Sequence, residues 1–248
     1  MARRLRVYVS GISAGPSELP REQAHYVGSV HRLGVGASFV AFDPELGIEA
    51  DARILRAERG RIECDYAEPR SAARRSLGIT LLQGAAKGDR LEQVVRAGTA
   101  LGVARIVVVD CERSVATPSE MRRERLRTIA LEAARQSGRG DLPELRGPVA
   151  LEAALAELDA NTHLRLCLSP TARAPLAERI RGWTPRESSA LLIGPEGGLS
   201  EAELSRAREF AFEDAALGPL TLRTELAAIA ALACFAGTLA SVDESQVE

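Results

Sequence analysis

Apolar positions along the chain follow two different rhythms. Over residues 1–70 they come in short runs, LRVYVSG, SFVAFDP, EADARILRAE and RIECDYAE, separated by Gly, Pro and charged turns that include Glu58-Arg59-Gly60. Alternation sends every second side chain to one face, so each run predicts a strand. Several such strands at close spacing predict a small barrel or sandwich. Between the first two runs, EQAHYVGSVHRLGVG carries its apolar residues at helical spacing instead. PRSAARR, at 69–75, is polar and reads as a boundary, which gives domains over 1–72 and 73–248.

Beyond it, strand-like LGITLLQG, RIVVVDCE, HLRLCLS, SSALLIG and FEDAALG alternate with helical stretches. Gly88–Leu101 has apolar positions 91, 94, 95 and 101, and Pro118–Gln136 has a stripe at 126, 129, 130, 133 and 134. Leu151–Leu158, Pro175–Arg181 and Glu201–Phe210 complete the set. Alternating strands and helices predict an α/β fold with a mostly parallel sheet covered by helices. Thr117 before Pro118 is a cap followed by a first-turn proline. Ser200 with Glu203 three residues on is a capping box. The last helix, roughly Glu225 to Ala240, is apolar all round, so it is expected to be buried in the core or in a subunit interface, and the interface is the preferred reading. The tail SVDESQVE is expected to fray.

Composition narrows the classes. With 46% apolar and 27% charged residues over 248 positions, the chain can bury a core for one large or two smaller domains. No apolar run approaches the roughly 20 residues of a membrane helix. MARRLRVYVSG lacks the apolar region of a secretory signal, so the expected compartment is the cytoplasm. Cys64, Cys111, Cys167 and Cys234 lie far apart without metal-ligand spacing, which predicts buried free thiols and no metal. A net charge of −2 argues against a uniformly basic nucleic-acid binder. Its distribution reopens the question. Residues 1–40 carry five Arg and two His against two Glu, whereas residues 185–248 carry four Arg against eleven acids. A basic N-terminal face could hold an acidic partner such as RNA. Lys87 is the one Lys beside 31 Arg, which singles out its compact ammonium.

Two stretches carry the candidate chemistry: LLIGPEGGLSEAEL at 191–204 and LGPLTLRTELAAIAAL at 217–232. Each reads as a strand that breaks into a constrained loop and then starts a helix. Ligands of open α/β sheets bind outside the carboxyl ends of strands, so the two loops could form one site. Neither matches GxGxxG or GxxxxGK[ST], so phosphate cradling is not supported. Gly194, Gly197 and Gly198 permit close backbone approach, and Pro195 stiffens the loop. A rigid backbone of this kind can read the edge of a flat heterocycle. Arg223 and Glu225 flank Thr224 at a helix start. Glu225 could serve there as a favourable first-turn charge. With Arg223 it could instead serve a polar substrate that must lose a proton and hold the resulting charge.

IGPEGGLSEAEL followed by LGPLTLRTE closely resembles the ribosomal RNA small subunit methyltransferase E family, within the knotted SPOUT superfamily. KGDRLEQVVRAGTALGV at 87–103, ERSV at 112–115, RLRTIALEAARQSGR at 125–139, Pro143 and the N-terminal AHYVGSVHRLGVG follow the family's order, so the resemblance covers essentially the whole chain. Related ribose methyltransferases usually show Asn-Glu-Gly where this chain has Pro-Glu-Gly. Three positions depart from the family pattern: Ala100, Leu220 and Leu226.

The resemblance implies a PUA-like N-terminal β-barrel that grips RNA and a SPOUT-type sheet with a C-terminal trefoil knot. It implies transfer of a methyl group from S-adenosylmethionine to N3 of a uridine in 16S rRNA of the small ribosomal subunit, by a homodimer. Cofactor contacts would come from Leu192, Gly194, Pro195, Glu196, Gly197, Leu217, Gly218 and Leu222. Glu225 would assist loss of the N3 proton and Arg223 would stabilise the uracil anion. RNA contacts would come from Arg6, His25, His31, Arg32, Lys87, Arg113, Arg135, Gln136, Ser137 and Arg139. Two other classes stay open at this level. One is a non-catalytic RNA-binding or ribosome-assembly protein on the same fold. The other is a small-molecule enzyme on a doubly wound sheet, which the absence of a phosphate motif weakens.

Overall fold

The computed structural model describes residues 4–86, 89–114, 120–185 and 187–239. Its contacts divide the chain into two compact units, Met1–Arg75 with Leu131–Leu142, and Ser76–Ala130 with Pro143–Glu248.

The first unit is built on one sheet. Its strands are β1 (Arg6–Tyr8), β2 (Gly15–Glu18), β3 (Ser38–Asp43), β4 (Ile48–Glu58), β5 (Arg61–Tyr66) and β6 (Arg70–Ser71). They run in the order β1-β3-β4-β5-β2, with β6 on β4. β1 lies parallel to β3, and the other pairs are antiparallel. Alternation decides the inward face: Ala50, Ala52 and Ile54 of β4 and Ile62, Cys64 and Tyr66 of β5 are buried together with Phe39 and Val7. The β4–β5 hairpin turns at Arg59-Gly60, both at positive φ, as a two-residue loop requires. β2 was not expected, because Gly15-Pro16-Ser17-Glu18 has no apolar alternation. It forms at the sheet edge, where proline is tolerated. The helix expected over EQAHYVGSVHRLGVG is shorter, with α1 (Arg21–His25) passing into a π-helical turn at Tyr26–Val30.

The second unit carries six parallel strands: β7 (Ile79–Gly84), β8 (Arg105–Asp110), β9 (Glu144–Ala150), β10 (Leu164–Leu168), β11 (Ser189–Ile193) and β12 (Glu213–Ala215). Their order is β12-β10-β11-β7-β8-β9. Helices α2 (Arg90–Ala100), α3 (Glu120–Ser137), α4 (Leu151–Ala156), α5 (Leu176–Arg179), α6 (Glu201–Glu209) and α7 (Thr224–Leu239) connect or follow them, and α3 is divided between the units. The central strands are continuously buried, as strands covered on both faces must be. Leu82, Val107, Val109, Leu155, Leu192 and Phe212 share one cluster. α7 packs on α2, β7 and β11 through residues that include Ala228, Ala231, Leu232 and Phe235, while Leu226, Ala233, Cys234 and Gly237 are exposed. Cys234 therefore departs from the expected burial. The other three thiols are buried, and no metal-binding cluster occurs among the described residues. No described helix is long and apolar enough to cross a membrane.

β9 was also missed, because Gly147-Pro148 reads as a turn. It is an edge strand and tolerates the proline. A Cβ at Gly147 would lie 2.3 Å from the Val108 carbonyl oxygen, at the register shift between β8 and β9. The expected helix start at Thr117-Pro118 lies outside the described residues, as do Lys87 and the C-terminal tail.

Candidate active site

The site is assembled at the carboxyl ends of β10, β11 and β12. β11 stops at Ile193, and Gly194–Leu199 turns the chain into α6. The Ser200 hydroxyl accepts from the Glu203 amide at 3.2 Å, and the Glu203 carboxylate accepts from the Ser200 amide at 2.8 Å. The predicted capping box is therefore present. The other Glu203 oxygen accepts from the Glu112 amide at 2.9 Å. Beside it the Arg113 guanidinium donates to the carbonyls of Gly197 at 3.1 Å and Leu199 at 3.3 Å. The loop after β8 thus clamps the glycine-rich loop from outside.

Thr224 joins the second loop to the first. Its hydroxyl donates to the Gly194 carbonyl at 2.7 Å and accepts from the buried Gln83 Nε2 at 2.8 Å. Gln83 is the buried amide near the end of β7, and its placement there ties β7 to the start of α7 and, through Thr224, to the loop after β11. Gly84 follows it. A Cβ at that position would fall 2.3 Å from the Pro195 nitrogen and 2.6 Å from the Gly194 carbonyl carbon, so glycine is required for the loop to lie against β7.

These loops enclose a cavity of about 720 Å³. Its wall includes Leu168–Thr171, Gly194–Leu199, Leu217, Gly218, Leu220–Thr224 and Arg90. Most of the wall is backbone and aliphatic surface. The charged exceptions are Arg90, Glu196, Glu201 and Arg223. Arg90 pairs with Glu196, and its Nε lies 3.8 Å from Glu225 Oε2. Leu220 is 78% exposed on the rim.

The wall contains seven of the eight cofactor candidates: Gly194, Pro195, Glu196, Gly197, Leu217, Gly218 and Leu222. Leu192 is buried in β11 and is not in the wall. Arg223 lines the cavity. Glu225 does not, being 5% exposed, and its Oε2 is buried without a hydrogen-bond partner.

Among the RNA candidates, Arg113 is committed to the glycine-rich loop, as described. In the first unit, Arg6 bonds Glu49 at 2.8 Å and lies over the Phe42 ring. Arg139 is 2% exposed and binds Asp141 through two nitrogens. Its guanidinium is directed into the fold, where desolvation makes such pairing obligatory. Ser137 donates to the Ala134 carbonyl at 3.4 Å, while Gln136 is exposed. His25 is exposed and lines a second cavity of about 820 Å³ together with Arg21, Arg59 and Arg61. His31 stacks edge-to-face on Tyr26, and Arg32 holds a φ of 54°, a left-handed conformation uncommon for a bulky residue. Arg135 lies over the Tyr26 ring at 4.1 Å.

Sequence reasoning missed Gln83, Arg90, Glu203 as a loop clamp, and Tyr26. Only Gln83 left a local signal, as an amide in an apolar strand.

Residues 73–236 match a family model described as an RNA methyltransferase domain. The chain is 29% identical over 220 residues to ribosomal RNA small subunit methyltransferase E of Bacillus subtilis, covering 85% of this chain and 86% of that protein. A Legionella pneumophila structure described as a methyltransferase in complex with the bound cofactor SAM superposes with a TM-score of 0.82 at 32% identity, over 96% of this chain and 98% of that one. Ribosomal RNA small subunit methyltransferase E from Neisseria gonorrhoeae, bound to S-adenosylmethionine, gives 0.82 at 28% identity over 95% and 98%.

Proposed function

From the premise that this chain belongs to the RNA methyltransferase family, we propose that it transfers a methyl group from S-adenosylmethionine to N3 of a uridine in 16S rRNA. The observation that carries the reading is the meeting of the Gly194–Leu199 and Leu217–Arg223 loops, locked by Thr224, around one cavity at the strand ends. Its volume suits a nucleoside-sized ligand. Rigid backbone and aliphatic wall suit an adenosine, and the Glu201 carboxylate suits the positive charge of the methyl donor.

When bound, S-adenosylmethionine supplies an electrophilic methyl on a sulfonium. The chain's residues must then expose a nitrogen lone pair on the acceptor. A uridine N3 lone pair is tied into the imide until the N3 proton leaves. We assign Glu225 as the proton acceptor, because its Oε2 carries no hydrogen bond that would compete for a proton and it lies two residues beyond Arg223 of the cavity wall. The Arg90 guanidinium is the cation beside it, with Nε 3.8 Å from Glu225 Oε2. Arg223, exposed in the cavity wall, is assigned to the negative charge that spreads onto the uracil carbonyls.

Three further features belong to the same reading. The first unit is taken as a PUA-like barrel that grips the RNA. The strand order of the second unit and the junction of its two loops support a trefoil knot in the C-terminal segment. The exposed apolar face of α7 supports a homodimer, acting in the cytoplasm.

Glu225→Gln is expected to keep S-adenosylmethionine binding in calorimetry while lowering kcat about 10²–10⁴-fold. Full activity in a folded Glu225→Gln protein would remove the base assignment. Absence of S-adenosylmethionine binding by the folded wild type would remove the enzyme reading. N3-methylation blocks pairing and stops reverse transcription, so the stop that is present in wild-type rRNA and lost in a deletion strain locates the target base.

A further inference from the structure

The first unit holds a stacked group that the methyl-transfer reading does not use. α1 does not end in an ordinary cap. It passes into a π-helical turn closed by the His31 amide on the Tyr26 carbonyl at 3.1 Å, with the Leu33 amide on the Val27 carbonyl at 3.1 Å. Turns of this kind are rare and recur at functional sites. Here the five-residue closure brings His31 back over Tyr26, with ring centroids 4.5 Å apart at 69°. The Arg135 guanidinium lies 4.1 Å from the Tyr26 centroid, arriving from a segment more than a hundred residues away in sequence. Its Nε is buried without a hydrogen-bond partner. The imidazole is exposed. Val30 and Val35, on either side in sequence, are 58% and 66% exposed.

The cluster presents flat π-surface, a guanidinium laid over an aromatic ring, and exposed aliphatic side chains. That chemistry suits the face of an unpaired base, which stacks on His, Tyr and Arg planes irrespective of sequence. We propose that His31, backed by Tyr26 and Arg135, is a stacking platform for one unpaired nucleotide of the RNA substrate. The inference rests on the RNA-substrate reading above. Tyr26 and Arg135 are positioning residues: they fix the imidazole plane.

The test is equilibrium binding of the full chain to a dye-labelled single-stranded RNA over a range of salt concentrations. His31→Ala is expected to weaken binding roughly 5- to 150-fold. The slope of log affinity against log salt should stay unchanged, because no phosphate charge is lost. His31→Phe should restore affinity to within about threefold of wild type, by the same stacking argument. Tyr26→Leu should weaken binding at an unchanged salt slope, and Tyr26→Phe should not. Failure of His31→Phe to restore, or a slope reduced by about one charge in both His31 variants, would overturn the platform. An unchanged thermal midpoint and unchanged S-adenosylmethionine affinity in calorimetry show that each variant is folded with its cofactor site intact. If the wild type binds RNA and its His31 variants bind equally well, the platform alone fails. If the wild type binds no RNA, the platform falls together with the RNA reading, while cofactor affinity continues to test the enzyme.

Discussion

Thr224 is the residue on which the geometry of the second unit converges, since one hydroxyl both donates to Gly194 and accepts from Gln83. Thr224→Val keeps the shape but removes the hydroxyl, taking the donor from the Gly194 carbonyl and leaving Gln83 Nε2 with its 3.2 Å bond to the Gly84 carbonyl. The expected loss is about 1–3 kcal/mol in urea unfolding, together with weaker S-adenosylmethionine binding; Thr224→Ser should recover most of both. The buried thiols make a separate prediction. Burial, with Asp214 near Cys167 and Glu203 near Cys111, pushes each from its ordinary 9.0 up to about 12. A folded value above the unfolded one gives stability that is intact below pH 9 and is lost as pH rises toward 12. Urea midpoints should therefore fall between pH 9 and pH 11, and Cys167→Ala should make that fall shallower.

At the scale of elements, local grammar and tertiary demand separate cleanly. The capping box at Ser200 was legible because both of its partners lie within one turn. Ser200→Ala should destabilise the protein by about 1 kcal/mol, read from the denaturation midpoint. β9 was not legible, because Gly147-Pro148 forms strand only at an edge beside β8. Gly84 reads locally as the ordinary end of a strand. Its real constraint is the Gly194-Pro195 backbone lying where a Cβ would go. Gly84→Ala is expected to push that loop off β7 and lower cofactor affinity at least tenfold in calorimetry, with secondary structure by circular dichroism preserved.

At the scale of the molecule, the apolar last helix was read as an interface, and the structure splits it between two surfaces. Ala228, Ala231, Leu232 and Phe235 are consumed inside the second unit, while Leu226, Ala233, Cys234 and Gly237 are left outside. If the outer face pairs two copies, sedimentation should report a dimer that Ala233→Arg converts to monomer. Cys234 should then react with a thiol reagent faster in that variant than in the wild type. The sequence by itself determined most of the strands and helices of the second unit, the change of rhythm near residue 70, the capping box after the glycine-rich loop and the family, because periodicity, caps and motifs are local. Only the tertiary structure decided which groups meet: Gln83 with Thr224 across 141 positions, Arg90 with Glu196 across 106, and Arg135 with Tyr26. A side chain's period fixes the face it occupies but carries no information about the distant residue that will cover it. That partner is set by how sheets and helices pack.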